Sequence, residues 1–142
     1  MTTAAENTIT TPEQRRAQAA WAATKGMSGD PAKDFSSLCK QTTARILNSG
    51  LLPTLAFLDA KGKDADANKP GPSGQSCKCR DALTNWLASF AGSPSGGVKE
   101  LLNHLMTSDG MVLRRAQAEA LAYLEWLARF AEGRAGAEGG EK

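Results

Sequence analysis

The sequence contains few of the residues that β-sheets favour. Aromatic residues make up 6% of its 142 residues, with a single Tyr among them. Val and Ile are also rare, and Ala and Leu supply most of the apolar side chains. Because strands draw on β-branched and aromatic residues whereas Ala and Leu favour helices, the composition predicts an all-α protein. No alternating apolar run is long enough to indicate a sheet.

The sequence also lacks the groupings of side chains that catalysis requires. It has one histidine, His104, and no pattern that combines it with a nucleophile and an acid. The glycine-rich stretch at residues 92–97 follows a predicted helix rather than a strand, and it lacks the lysine of a phosphate-binding loop. We therefore predict that the protein is not an enzyme and needs no cofactor.

Strong net charge and long apolar runs are both absent. The 17 basic and 15 acidic residues give a net charge of +2, so any nucleic acid must be bound by a local basic patch. The longest uncharged apolar stretch, residues 51–58, is too short to cross a bilayer. Residues 1–10 lack the features of an export signal, and the three cysteines are an odd number. These features predict a cytoplasmic protein with no membrane partner.

Capping and breaking residues divide the chain into helices. Thr11, Pro12 and Gln14 together form a capping-box start, and Asp30-Pro31 repeats the signal of a cap followed by proline. We predict a compact single-domain bundle of five to six helices, which span about residues 11–25, 31–48, 51–61, 76–91, 98–106 and 111–132. The bundle domain is residues 11–132, with an exposed loop at 62–75, a flexible lead at 1–10 and a disordered tail at 133–142.

Three segments resemble the small-subunit family of Cmr-type (type III-B) CRISPR complexes. Residues 50–58 (GLLPTLAFL), followed by Lys61-Gly62, are similar to a middle helix of that family. Residues 114–132 (RRAQAEALAYLEWLARFAE) are similar to its C-terminal helix, although Leu113 and Gln117 stand where the family usually has Tyr and Thr. Residues 15–21 of the first helix carry a shorter likeness.

The resemblance implies a non-catalytic helical subunit of a ribonucleoprotein that defends against invading RNA. It also implies partners: further copies of the chain, the backbone subunits, the large polymerase-like subunit, and the guide CRISPR RNA paired with its target. Such a subunit lines the groove that holds the guide–target duplex. Because base pairing reads the sequence there, the protein is expected to contact phosphates through Lys and Arg.

Basic residues on four helices are the candidates for these RNA contacts. They are Arg15, Arg16, Lys25, Lys40, Arg45, Lys61, Lys63, Arg114 and Arg115. Lys40 and Arg45 diverge by about 140° around their helix, so they cannot share one narrow stripe, and Lys40 is the first choice. The alternative is ordinary surface charge, with Arg115 paired to Glu119 and Arg129 paired to Glu125.

The tryptophans and cysteines each allow more than one interpretation. Trp21, Trp86 and Trp126 lie on or beside apolar stripes, so packing is favoured over base stacking. Trp126 and Phe130 are predicted at a subunit interface. Cys77 and Cys79, with Cys39 and His104, would supply four zinc ligands. A disulfide or plain thiols are favoured because C-x-C is a poor zinc spacing, so we predict no bound metal.

Three functional hypotheses follow from the sequence. The first is the RNA-contacting subunit of a CRISPR effector. The second is a helical adaptor that binds only protein, in which the basic residues serve solubility. The third is a small helical module stabilised by zinc.

Overall fold

A computed structural model describes residues 9–62, 72–93 and 97–140, without the side chains of residues 61, 62, 72, 73 and 137–140. Within these ranges the fold is all-α, as the composition predicts. Six helices follow one another along the chain: α1 (Pro12–Ala23), α2 (Gly29–Ser49), α3 (Leu51–Gly62), α4 (Pro72–Ala91), α5 (Val98–Met106) and α6 (Gly110–Gly140).

The predicted capping box at the start of α1 is confirmed. The Gln14 backbone N–H donates to Thr11 Oγ1 at 3.0 Å, and the Thr11 backbone N–H donates to Gln14 Oε1 at 2.7 Å. At the other end the helix stops at Ala23, and the Thr24 hydroxyl donates to the Ala20 carbonyl. Gly26 follows with φ of +83°, a left-handed conformation that glycine adopts without strain. The chain therefore turns sharply from α1 toward α2.

Helices α2 and α6 form the centre of the bundle and pack extensively against each other. Their contact buries the apolar stripes that the helical spacing predicts, including Phe35 and Ile46 of α2 and Leu124 and Leu127 of α6. A polar bond crosses the same contact, since the Ser36 hydroxyl donates to the Ala128 carbonyl at 3.0 Å. Helix α1 packs on α6 and α4, helix α4 packs on both central helices, and α3 packs against α2, α4 and α5.

Gly50 makes the sharp break between α2 and α3. Its φ of +95° lies in the region that favours glycine, and its N–H donates to the Ile46 carbonyl at 2.7 Å. The backbone N–H of Leu51 then donates to the Gln117 side chain at 2.9 Å, which ties the start of α3 to α6. Leu51, Leu55 and Leu58 are buried, as predicted for α3.

Two predicted boundaries are wrong. Helix α4 begins at Pro72 rather than near Ser76, and Gly74 and Gln75 are buried, so the predicted exposed loop does not include residues 72–75. Helix α6 continues to Gly140, past the predicted end at Glu132. Its extension is held by Arg134, whose guanidinium donates to the Thr24 hydroxyl and the Trp21 carbonyl. Local glycine signals are overridden here by tertiary contacts.

The remaining parts of the predicted lead, loop and tail lie outside the described residues. They are residues 1–8, 63–71 and 141–142. Among the helices that are described, none has the length and apolar character needed to cross a membrane.

Candidate nucleic-acid interface

The predicted RNA-contacting residues occupy very different environments, and Arg16 is the most enclosed of those described. Its Nε donates to Glu119 Oε2 at 2.7 Å, and a terminal nitrogen donates to Glu119 Oε1 at 2.8 Å. The two side chains are only 18% and 7% exposed. The Trp86 indole N–H donates to the same carboxylate at 2.7 Å. Arg16 thus joins α1 to α6 through a charge-assisted fork.

The electrostatics of this site depend on the balance between burial and bonding. Burial alone would raise the pKa of the Glu119 carboxyl, but the hydrogen bonds from Arg16 and Trp86, with the Arg16 charge, lower it below its usual value. The hydrogen bond to Glu119 in turn raises the pKa of Arg16. Glu119 is therefore ionised and bonded internally. The predicted pairing of Arg115 with Glu119 is wrong, because Glu119 faces α1 and α4 rather than its own helix surface.

Sequence reasoning missed Glu119 as a structural residue, although a signal was present. Ala116 and Tyr123 lie three residues before and four residues after it, and both are buried. These spacings place Glu119 on the same helix face. A charged residue on a buried stripe needs a partner of opposite charge. The basic residues Arg15 and Arg16 on a neighbouring helix are candidates for this partner.

Lys40 lies on the rim of a groove between α2 and α6. Its Nζ is 3.6 Å from Glu132 Oε1, and the side chains are 60% and 63% exposed. An exposed pair at this distance contributes little and is readily exchanged for another anion. The groove has a volume of about 380 Å³ and a partly apolar lining. The predicted pair of Glu125 and Arg129 also lies on this groove and is confirmed at 3.7 Å.

Arg45 faces a different neighbour from Lys40, which confirms that the two residues cannot share one stripe. Its guanidinium carbon lies 3.7 Å from the centroid of the Phe57 ring on α3. This cation–π contact orients the guanidinium while leaving the side chain exposed. Arg45 is therefore a cation held in one place on the surface.

The remaining candidates are less constrained where they are described. Arg15 is exposed and donates to the carbonyl and hydroxyl oxygens of Thr10 at 2.6 and 3.2 Å. Lys25, Arg114 and Arg115 are exposed, the first just after α1 and the others near the start of α6. The side chain of Lys61 and the whole of Lys63 lie outside the described residues, so their predicted roles stay predictions.

An aromatic cluster on the surface of α1 and α6 contains both predicted interface residues. Phe130 packs edge-on against Trp21 at 5.1 Å between ring centroids, and Trp126 lies 5.3 Å from Phe130. The Arg134 guanidinium also lies over the Trp21 ring, with its carbon 4.0 Å from the ring centroid. Trp21 is still 55% exposed. Trp86 differs, because it stacks on buried Tyr123 and bonds Glu119, so it serves the core.

The four residues of the zinc hypothesis are not brought together. Cys39 and Cys79 meet in the core, whereas the Cys77 sulfur accepts a hydrogen bond from Arg80 at 3.1 Å. His104 is bonded to the Ala91 carbonyl at 3.2 Å. Across the described part of the chain there is no group of three or more His, Cys, Asp or Glu residues arranged to hold a metal ion. The zinc hypothesis thus loses its ligand set.

A family model and a solved structure both match this chain. A family model described as CRISPR-associated protein (Cas_Cmr5) matches residues 12–134. A solved structure, the X-ray crystal structure of a CRISPR-associated Cmr5 family protein from Thermus thermophilus, shares the fold with a TM-score of 0.62. The match covers 89% of this chain and 99% of that one at 22% sequence identity. No curated protein sequence matches the chain.

Proposed function

Because the chain belongs to the Cmr5 family of CRISPR-associated proteins, we propose that it is the non-catalytic small subunit of a type III-B ribonucleoprotein that holds guide-paired target RNA. The observation that carries this proposal is the family match over residues 12–134, which spans every helix except the end of α6. Family membership implies association with other subunits of a Cmr complex. The RNA contact, its residues and the role in antiviral defence are our proposal.

The exposed cations support a contact with phosphates rather than with bases. Lys40 and Arg45 each have a partner that leaves the positive charge accessible. A lysine or arginine that meets phosphate attracts any sequence, which suits a subunit whose target is chosen by base pairing. Arg16 is the exception, since its guanidinium is committed to Glu119. We therefore assign Arg16 to the bundle and keep the exposed residues as RNA contacts.

The direct test is target-RNA binding by the assembled complex as a function of salt. Lys40→Gln with Lys61→Gln is expected to weaken binding and to reduce the salt slope by about 0.7–0.9 for each phosphate that the protein no longer neutralises. Lys33→Gln is the matched control, because Lys33 is an exposed lysine on the same helix as Lys40 and is not a predicted contact. An unchanged affinity and slope in the double variant, with the complex intact, would contradict the assignment of these two residues.

The aromatic cluster supports a second candidate, a scaffold that binds only protein. An exposed tryptophan such as Trp21, beside the partly buried Trp126 and Phe130, is typical of a contact with another subunit. On this hypothesis, Trp126→Ala and Phe130→Ala reduce incorporation into the complex while the lysine variants change nothing. If incorporation falls and the salt slope also responds to the lysines, the subunit has both roles. Subunit stoichiometry by native mass spectrometry separates these outcomes.

A further inference from the structure

Two of the three cysteines meet in the core between α2 and α4. The sulfurs of Cys39 and Cys79 lie 3.8 Å apart, and both side chains are almost fully buried. Nothing in the proposed function uses them. We propose that these two residues form an oxidative modification site, in which a small hydroperoxide converts the Cys39 and Cys79 thiols into an intramolecular disulfide.

The geometry selects this pair over the others. A disulfide brings its sulfurs to about 2.05 Å, and the two sulfurs are already in van der Waals contact with no other atom between them to displace. Cys77 lies two residues before Cys79, which places it roughly 200° away around α4. Its sulfur instead accepts a hydrogen bond from Arg80. The close spacing of Cys77 and Cys79 in sequence thus does not make them a pair in space.

A narrow cleft beside the pair has Cys79 in its lining, although Cys79 itself is only 1% exposed. It has a volume of about 60 Å³, and its lining includes Thr42, Arg45, Phe57 and Cys79 but not Cys39. A water molecule needs roughly 10–15 Å³ of such space, so the cleft admits hydrogen peroxide or a small alkyl hydroperoxide. It is too small for a peptide disulfide. Cys79 is therefore the cysteine of the pair that an oxidant in the cleft approaches first.

The reaction balances with one hydroperoxide and two thiols. The Cys79 sulfur attacks the terminal oxygen of the hydroperoxide, the O–O bond breaks, and the thiol proton leaves with the departing oxygen as water or an alcohol. The resulting sulfenic acid is then attacked by the Cys39 sulfur, which forms the S–S bond and displaces the hydroxyl group. That group takes the Cys39 proton and leaves as water.

The environment of the two thiols fits this order. The hydrogen bond with Cys39 lowers the pKa of Cys79, while burial raises the pKa of Cys39. The cleft sets the order of attack, since its lining includes Cys79 and not Cys39, and the hydrogen bond between the two thiols is consistent with that order. Because both groups are buried away from solvent, the reaction is slow and needs an excess of oxidant.

The experiment treats the full-length chain with excess hydrogen peroxide and identifies the products by peptide mapping under non-reducing conditions. The expected product is lighter by two hydrogen atoms, contains a Cys39–Cys79 cross-linked peptide, reverts with dithiothreitol and unfolds at a higher temperature than the reduced chain. Denatured chain under the same conditions is expected to give a mixture of pairings, because the folded geometry no longer selects one.

Two variants sharpen the test. Cys77→Ser is expected to give the same cross-link as the unmodified chain. Cys39→Ala is expected to stop at the Cys79 sulfenic acid, which dimedone traps when the oxidised chain is unfolded in its presence. The peptide map of the unmodified chain decides the matter even if Cys39→Ala fails to fold. Pairing that involves Cys77, cross-links between chains, or no oxidation of Cys79 in the folded protein would each overturn the proposal.

Discussion

Among the described side chains, two ion pairs join α6 to neighbouring helices, and they differ in how accessible they leave the positive charge. Arg16 and Glu119 are enclosed between α1 and α6, and the Glu119 carboxylate accepts three hydrogen bonds, two from Arg16 and one from Trp86. Lys40 and Glu132 face each other across α2 and α6 at 3.6 Å, and both are mostly exposed. Both are pairs of opposite charge between helices, yet only the first is largely buried and bidentate.

The comparison shows that position on a helix face decides what a basic residue does. A desolvated arginine with a bidentate carboxylate is bound to that carboxylate, since separating the pair leaves a buried charge without a partner. An exposed lysine loses almost nothing when it exchanges one anion for another. The arginine therefore stabilises the bundle, and the lysine remains free to bind a phosphate. Four predictions test this division, in decreasing order of expected effect.

Removing Glu119 has the largest expected effect on stability. Glu119→Ala leaves the Arg16 guanidinium and the Trp86 N–H without their acceptor, so the free energy of unfolding should fall by about 3 kcal/mol. Urea denaturation of the isolated chain measures this. Glu125→Ala is the control, because its exposed pair with Arg129 should contribute less than about 0.5 kcal/mol. Equal losses in the two variants would contradict the division.

The Glu119 contribution should also depend on pH. Because the pKa of Glu119 is lower in the folded protein than its ordinary value of 4.5, the ionised form stabilises the fold above that value. This stabilisation is lost as pH falls below about 4.5 toward the folded pKa. The difference in unfolding free energy between the unmodified chain and Glu119→Gln should therefore shrink in acid. The other carboxyl groups titrate in both proteins, so their effects cancel in this difference. A difference that does not change with pH would contradict the role assigned to Glu119.

Arg134 gives the third prediction, which concerns the end of α6. Arg134→Ala removes the cation–π contact with Trp21 and the hydrogen bonds to Trp21 and Thr24, at a cost of about 1 kcal/mol. The loss should be local, with faster hydrogen exchange at residues 133–136 and little change near Gly50. Arg129→Ala serves as the matched control on the same helix. Unchanged exchange after Arg134→Ala would mean that the extension is held by something else.

The same residues show how much of the fold the sequence could predict. Helical periodicity and capping signals predict the core stripes of α2, α3 and α6 because burial in helices repeats at a fixed spacing. The Thr11–Gln14 capping box is equally local, and the structure confirms it. The extension of α6 through Gly133 is different, since it depends on Arg134 reaching α1 across 110 residues of chain. No local pattern contains that contact.

The candidate site was predicted less completely than the fold. A list of basic residues does not separate Arg16 from its neighbour Arg15, because the distinction depends on which side of α1 faces α6. Only the structure shows that Arg16 is paired with Glu119 while Arg15 is exposed beside Thr10. The close approach of Cys39 and Cys79 was not predicted for the same reason, since Cys77 is nearer to Cys79 in the sequence.

Lys40 gives the prediction with the smallest expected effect on stability. Lys40→Gln and Glu132→Gln should each change the free energy of unfolding by less than about 0.5 kcal/mol, because the pair is exposed and solvent replaces either partner. If Lys40 contacts phosphate, Lys40→Gln should weaken target-RNA binding by the complex, whereas Glu132→Gln should strengthen it slightly by removing a competing anion. If the two variants are equally stable but change the RNA affinity in opposite directions, Lys40 serves binding rather than folding. A loss of affinity in both variants would instead indicate that the ion pair itself shapes the groove.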